Sequence, residues 1–168
     1  MGFLRRSAKP NIPASTFKVL STAMVLPLFD YCSVAWSECG CTKTDKLVKL
    51  YNRLARLILD ANPRSHIAEL YEALSWLTLP QRWHNHRMCE VYKCIKGLTP
   101  KYLSSRFNAP VHKVGTRSLA NGSLSISFTP KSNAGKSTFQ YLGTLGWNQL
   151  TTSQRQAETL SIFKSLLT

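Results

Sequence analysis

The chain has 168 residues, a size that suits one domain or one domain with a tail. Lys and Arg number 22 against 8 Asp and Glu, a formal net charge of +14, while only 18% of residues are charged, so the basicity comes from missing acids more than from extra bases. Apolar residues at 43% exclude wholesale disorder, eight carboxylates leave little material for acid–base or two-metal chemistry, and the surplus charge points to a polyanionic partner.

Residues 1–13 form a basic N-terminal segment. Arg5, Arg6, Lys9 and Lys18, with no acid before Asp30, loosely resemble a transit peptide. Residues 14–36 read as a helix broken or kinked at Pro27, with Phe17, Leu20, Met24, Leu28 and Tyr31 at helical spacing. Nearly every other side of it is apolar too, which predicts a place deep in the core. The apolar run over 19–36 is no membrane span, because Pro27 interrupts it and an aspartate such as Asp30 near mid-span costs about 2.5–3.5 kcal/mol. Gly40 marks a turn.

Residues 44–60 make the clearest amphipathic helix. Leu47, Leu50, Leu54, Leu57 and Ile58 form one stripe, and Lys46, Lys49, Arg53 and Arg56 a second beside it, within an arc of about 80°. Asn62-Pro63 ends this helix. Ser65 caps a short helix to about Ser75. Thr78 at N-cap, Pro80 at N1 and Gln81 at N3 open the next, which Gly97 closes. Thr99-Pro100 starts a helical turn through Leu103.

The texture changes over residues 108–138, rich in Ser, Asn, Gly, Pro and Thr. Asn121-Gly122 is a hairpin signal, with Leu124, Ile126 and Phe128 alternating on one strand and Leu119 on its partner. Phe139, Tyr141 and Trp147 form an aromatic cluster, and residues 153–167 close with an amphipathic helix bearing Leu160, Phe163 and Leu167. No carboxylate occurs between Val91 and Gln156, while nine bases do, Arg117 and Lys136 among them.

Five cysteines at irregular spacing do not describe a secreted disulfide framework, and reduced thiols place the chain inside the cell, in nucleus or cytoplasm. Cys39, Cys41, His84, His86 and Cys89 are suitable zinc ligands at unsuitable spacing. Gly135-Lys136-Ser137 lacks the earlier glycine of a phosphate-binding loop, since Pro130 stands there. No cofactor, metal or catalytic residue is expected. The basic helix is the strongest positive signal: four phosphate contacts predict a slope of log K on log salt of about −3 to −4 on duplex DNA.

Several strings together carry a family resemblance. Leu26-Pro27-Leu28-Phe29-Asp30-Tyr31-Cys32-Ser33 followed by Trp36 resembles the P-x-x-D/E-Y-x-x-x-x-W segment downstream of the polymerase palm in LINE-type non-LTR retrotransposon reverse transcriptases. Lys49-Leu50-Tyr51-Asn52-Arg53-Leu54-Ala55-Arg56 is similar to that family's LQNRAAR helix. The stretch from Val91 through Gly97-Leu98-Thr99-Pro100 to Leu103 resembles VYKILNGLTPEYL. Thr116-Arg117-Ser118, Phe139, Gly143 and Trp147-Asn148-x-Leu150 follow in the family's order, and Gly2-Phe3-Leu4-Arg5-Arg6 looks like an internal stretch of the polyprotein, which weakens the transit-peptide alternative. The departures are Tyr51 where the family has Gln, and Thr151 where it has Pro. The palm with its two catalytic aspartates, the fingers and the endonuclease are not among these residues.

The resemblance implies a thumb-like helical segment with the family's C-terminal extension, gripping a primer–template duplex behind the active site. The expected fold is mainly α: a small helical bundle over 14–107, then an irregular region over 108–168 with a short β-hairpin and a C-terminal helix. The expected role is non-catalytic binding of RNA–DNA hybrid or duplex DNA through phosphates, without membrane attachment. Lys46, Lys49, Arg53 and Arg56 are the main contacts, Arg117 and Lys136 weaker ones, and Asn52 either bonds a sugar or base edge or packs between helices. The parent enzyme's palm and fingers are the implied packing partner. A degenerate fragment without activity and a repurposed nucleic-acid or protein interaction module are the alternatives.

Overall fold

The computed structural model describes Arg6 and residues 11–38, 40–107, 122–126 and 129–167. It divides into two compact units, one up to Trp83 and one from His84. The described residues are mainly helical.

The first unit holds α1 (Ala14–Asp30), α2 (Ser33–Trp36), α3 (Cys41–Leu59), α4 (Ile67–Leu74) and the opening of α5 (Leu79–Ile95). Its core gathers Phe17 and Phe29 of α1, Tyr51, Leu54, Ala55 and Ile58 of α3, Leu70 and Leu74 of α4, and Leu79 and Trp83 of α5. Helix α1 passes through Pro27 and ends at Asp30, so the 14–36 stretch is interrupted after Asp30 rather than broken at Pro27. The Tyr31 N–H donates to the Pro27 carbonyl at 2.9 Å, and the break falls at Cys32, whose φ of 50° lies in the left-handed region.

Of the stripe expected to place α1 deep in the core, Phe17 is buried and Leu20 packs on the core, but its later part faces outward. Met24 is 60%, Leu28 73% and Tyr31 76% exposed, while Phe17, Ser21, Leu26 and Phe29 are buried. A helix apolar all round has no pattern of its own to choose a buried face. Here the choice is made by α5. The Arg82 guanidinium grips both oxygens of the Asp30 carboxylate at 2.6 and 2.5 Å, and the Trp83 indole N–H donates to the Phe29 carbonyl at 2.9 Å. Anchored at residues 29 and 30, the helix turns Leu28 away from the core.

At the start of α5 Thr78 and Gln81 stand where expected and Pro80 is one position displaced. The Gln81 side chain accepts from the Thr78 N–H at 3.0 Å, as an N3 glutamine should, but the helix begins at Leu79, so Pro80 occupies the second position.

The second unit holds the rest of α5, α6 (Lys101–Ser104), α7 (Asn133–Lys136), α8 (Phe139–Gln149), α9 (Thr152–Arg155) and α10 (Leu160–Leu166). Tyr92, Trp147 and Phe163 centre its core: the Tyr92 and Phe163 rings stack at 4.7 Å, and Trp147 lies 5.7 Å from Phe163. The single closing helix expected over 153–167 is two. The Tyr92 hydroxyl donates to the Ala157 carbonyl at 3.0 Å, which holds the chain between them, and the Thr159 hydroxyl caps α10 by accepting from the Ile162 N–H.

The expected β-hairpin does not form: among the described residues there is no strand. Leu119, Asn121 and Phe128 lie outside the described residues, but Leu124 and Ile126 are within them, and Ile126 is 44% exposed where alternation would bury it with Leu124. The Asn148 side chain takes the place of a partner strand. Its carbonyl oxygen accepts from the Leu124 N–H at 2.8 Å and its amide donates to the Leu124 carbonyl at 3.0 Å. With both polar groups of Leu124 satisfied by one amide, the segment needs no ladder.

Helix α8 lies close against the core because it carries two glycines. A Cβ on Gly143 would meet Val91 Cγ2 at 2.8 Å and the Phe107 ring at 3.2 Å, whereas on Gly146 it would meet the flexible Met88 Cε at 2.7 Å and the edge of the His84 ring at 3.1 Å. Gly143→Ala should therefore destabilise by about 1–3 kcal/mol, because a β-branched side chain and a packed ring cannot swing aside. Gly146→Ala should stay within about 1 kcal/mol of the parent, helped by alanine's better helix propensity. Urea denaturation followed by circular dichroism measures both.

Candidate nucleic-acid interface

Helix α3 starts at Gly40, whose φ of 97° suits glycine alone and whose carbonyl accepts from the Lys43 and Thr44 N–H groups and the Thr44 hydroxyl. It stops where Asp60 adopts a φ of 53° and Ala61 N–H turns back to the Arg56 carbonyl at 3.0 Å. Between these ends it buries Tyr51, Leu54, Ala55 and Ile58. Leu50, placed by the sequence on the buried stripe, is 40% exposed. The buried face is thus centred on Tyr51 and Leu54, and at about 100° per residue the basic arc lies nearly opposite it rather than beside it.

Lys46, Lys49 and Arg53 are exposed on this outer face, and none is paired with a carboxylate among the described residues. Asp45 stands at its edge, four residues before Lys49, so the face is not wholly free of acids. Arg56 and Asn52 have other work. Arg56 is half-buried, its Nη2 donates to the Ser65 carbonyl at 3.4 Å, and its Nε is enclosed without a partner. The Asn52 side-chain oxygen accepts from the Tyr71 hydroxyl, joining α3 to α4. Asn52 takes the helix-packing role.

Lys136 is exposed at the end of α7 in the second unit, and Arg117 lies outside the described residues. The two units differ in charge: the first has eleven Lys and Arg against six acids, the second eleven against two. The acid-poor stretch after Glu90 already shows in the sequence, and the unit boundary at residues 83 and 84 assigns it to the second unit.

Cys32 and Cys41 are exposed, and Cys39 lies outside the described residues. Cys89 and Cys94 are buried, and burial pushes both thiols up, so they stay protonated at neutral pH. Burial lowers His84, helped by Arg87. Among the described residues no three of His, Cys, Asp or Glu stand close enough to hold a metal ion, and no helix is long and apolar enough to cross a membrane. No family model matches this chain, and comparison with curated proteins and with solved structures gives no match.

Proposed function

We propose that the chain is a thumb-like, non-catalytic segment of a LINE-type non-LTR retrotransposon reverse transcriptase that holds the phosphate backbone of a primer–template RNA–DNA duplex. The observation that carries the binding role is the row of Lys46, Lys49 and Arg53, exposed on the side of α3 opposite its buried face. At 1.5 Å per residue the row runs about 10 Å, enough for successive phosphate contacts, which position a duplex without reading its sequence. The family origin rests on the ordered motif strings. The test of that origin is genomic: an upstream reading frame encoding the paired catalytic aspartates is the expected result, and its absence counts against it.

A salt titration with blunt hybrid duplex tests the binding role. Replacing Lys46, Lys49 and Arg53 together with Gln should lower the magnitude of the log–log salt slope by about 3. An unchanged slope defeats the proposal. Arg56→Gln should instead lower stability and leave the slope of the folded protein alone. The exposed Met24, Leu28 and Tyr31 favour a second reading, in which residues 14–36 pack against the palm of a parent polymerase. Binding of a separately expressed palm, lost on Leu28→Lys, tests it.

A further inference from the structure

The second unit carries a surface that the α3 proposal leaves unused. Helix α5 ends at Gly97, with φ of 69°: the Leu98 N–H donates to the Lys93 carbonyl at 2.9 Å and the Gly97 N–H to the Cys94 carbonyl at 3.3 Å, a Schellman closure. Pro100 then opens α6, so the corner between the two helices is held by backbone hydrogen bonds. Leu103 packs on the core, and the neighbouring Tyr102 is left 71% exposed, with Leu98 at 66% and Ile95 at 38%. Lys96, Lys101 and Arg106 are exposed along residues 96–106, with the Lys96 ammonium 5.5 Å over the Tyr92 ring. Glu90, one of the unit's two acids, is occupied by Lys93 at 2.7 Å. Beside the corner lies a groove of about 640 Å³, with Ile95, Phe107 and Leu124 as apolar lining and Lys101 as its cation. That volume is ample for a nucleobase.

An exposed ring, three uncompensated bases and an adjacent apolar groove are the parts of a single-strand site: bases stack on the aromatic face while the cations follow the phosphates. A duplex keeps its bases stacked internally and has no use for Tyr102 or for the groove. We propose that the Lys96–Phe107 corner of the second unit binds single-stranded nucleic acid, with Tyr102 as the stacking platform and Lys96, Lys101 and Arg106 as phosphate contacts. This site is independent of the duplex role given to α3.

The test is fluorescence anisotropy of the full chain with a labelled 12-nucleotide single strand and, separately, a blunt hybrid duplex. Tyr102→Ala should weaken single-strand binding about tenfold and leave duplex binding unchanged, and Tyr102→Phe should restore it. Replacing Lys96, Lys101 and Arg106 with Gln should lower the single-strand salt slope by about 2. Single-strand binding that ignores Tyr102→Ala overturns the proposal. So does equal affinity for an abasic strand of the same length, which makes the corner a general polyanion surface. Replacing Lys46, Lys49 and Arg53 with Gln should spare single-strand binding, so a failure of the α3 reading is seen separately.

Discussion

Trp147→Ala should destabilise the second unit by about 3–5 kcal/mol, a large share of the stability of a unit this small. Trp147 is 2% exposed, and its ring meets Phe163 at 5.7 Å and Tyr92 at 6.5 Å, so its removal opens the centre of the core. Its indole N–H also donates to the Gly122 carbonyl at 2.9 Å, one of the bonds that hold residues 122–126 on α8. Trp147→Phe separates the two contributions: it keeps most of the ring contact and should cost about 1–2 kcal/mol for the orphaned carbonyl and lost area. Asn148→Ala should cost about 2–3 kcal/mol, since it strips partners from both the N–H and the carbonyl of Leu124. Urea denaturation followed by circular dichroism gives all three values. A neutral Asn148→Ala excludes the side-chain clasp as the reason why residues 122–126 form no strand.

The hairpin and the clasp show how far local signals reach. Asn121-Gly122 is a turn signal, and turns do occur there, Gly122 having a φ of 64°. Whether the flanking residues pair as strands depends on what else meets their backbone, and Asn148 lies 24 positions away from Leu124. Nothing within the segment announces it. The facing of α1 has the same origin, since Arg82 lies 52 positions beyond Asp30. By contrast α3, the start of α5 near Thr78 and its stop at Gly97 were legible, because caps and helical periodicity act within a few residues. Within the candidate site the distinction is sharper still. Lys46, Lys49, Arg53 and Arg56 are equivalent as a sequence pattern. Only the packing of α4 and the Ser65 carbonyl separates the half-buried Arg56 from the other three. Nothing in the sequence separates Tyr102 from its neighbour Leu103, the residue that reaches the core.

Tyr51→Ala should destabilise the first unit by about 3–5 kcal/mol. Tyr51 is fully buried, its ring meets Phe29 at 5.5 Å, Trp76 at 5.1 Å and Tyr71 at 5.7 Å, and its hydroxyl donates to the Leu77 carbonyl at 3.1 Å. Tyr51→Gln should cost nearly as much here, because a flexible amide replaces a ring in an aromatic cluster. Burial pushes the Tyr51 phenol from 10.0 up to about 12. The folded state therefore favours the neutral phenol. Its share of stability is intact below pH 10 and is lost as pH rises from 10 through 12, and Tyr51→Phe should remove that part of the alkaline loss. The same residue fixes which side of α3 faces the core, and so which side presents Lys46, Lys49 and Arg53. Stability and binding should then separate cleanly. Exchanging the three exposed bases for Gln should leave the urea midpoint within about 0.5 kcal/mol of the parent while hybrid binding falls. Tyr51→Phe should do the reverse, shifting the midpoint while the folded protein binds hybrid duplex with the parent's salt slope. A salt slope that falls with Tyr51→Phe as much as with the Gln exchanges excludes the outer face of α3 as the contact surface.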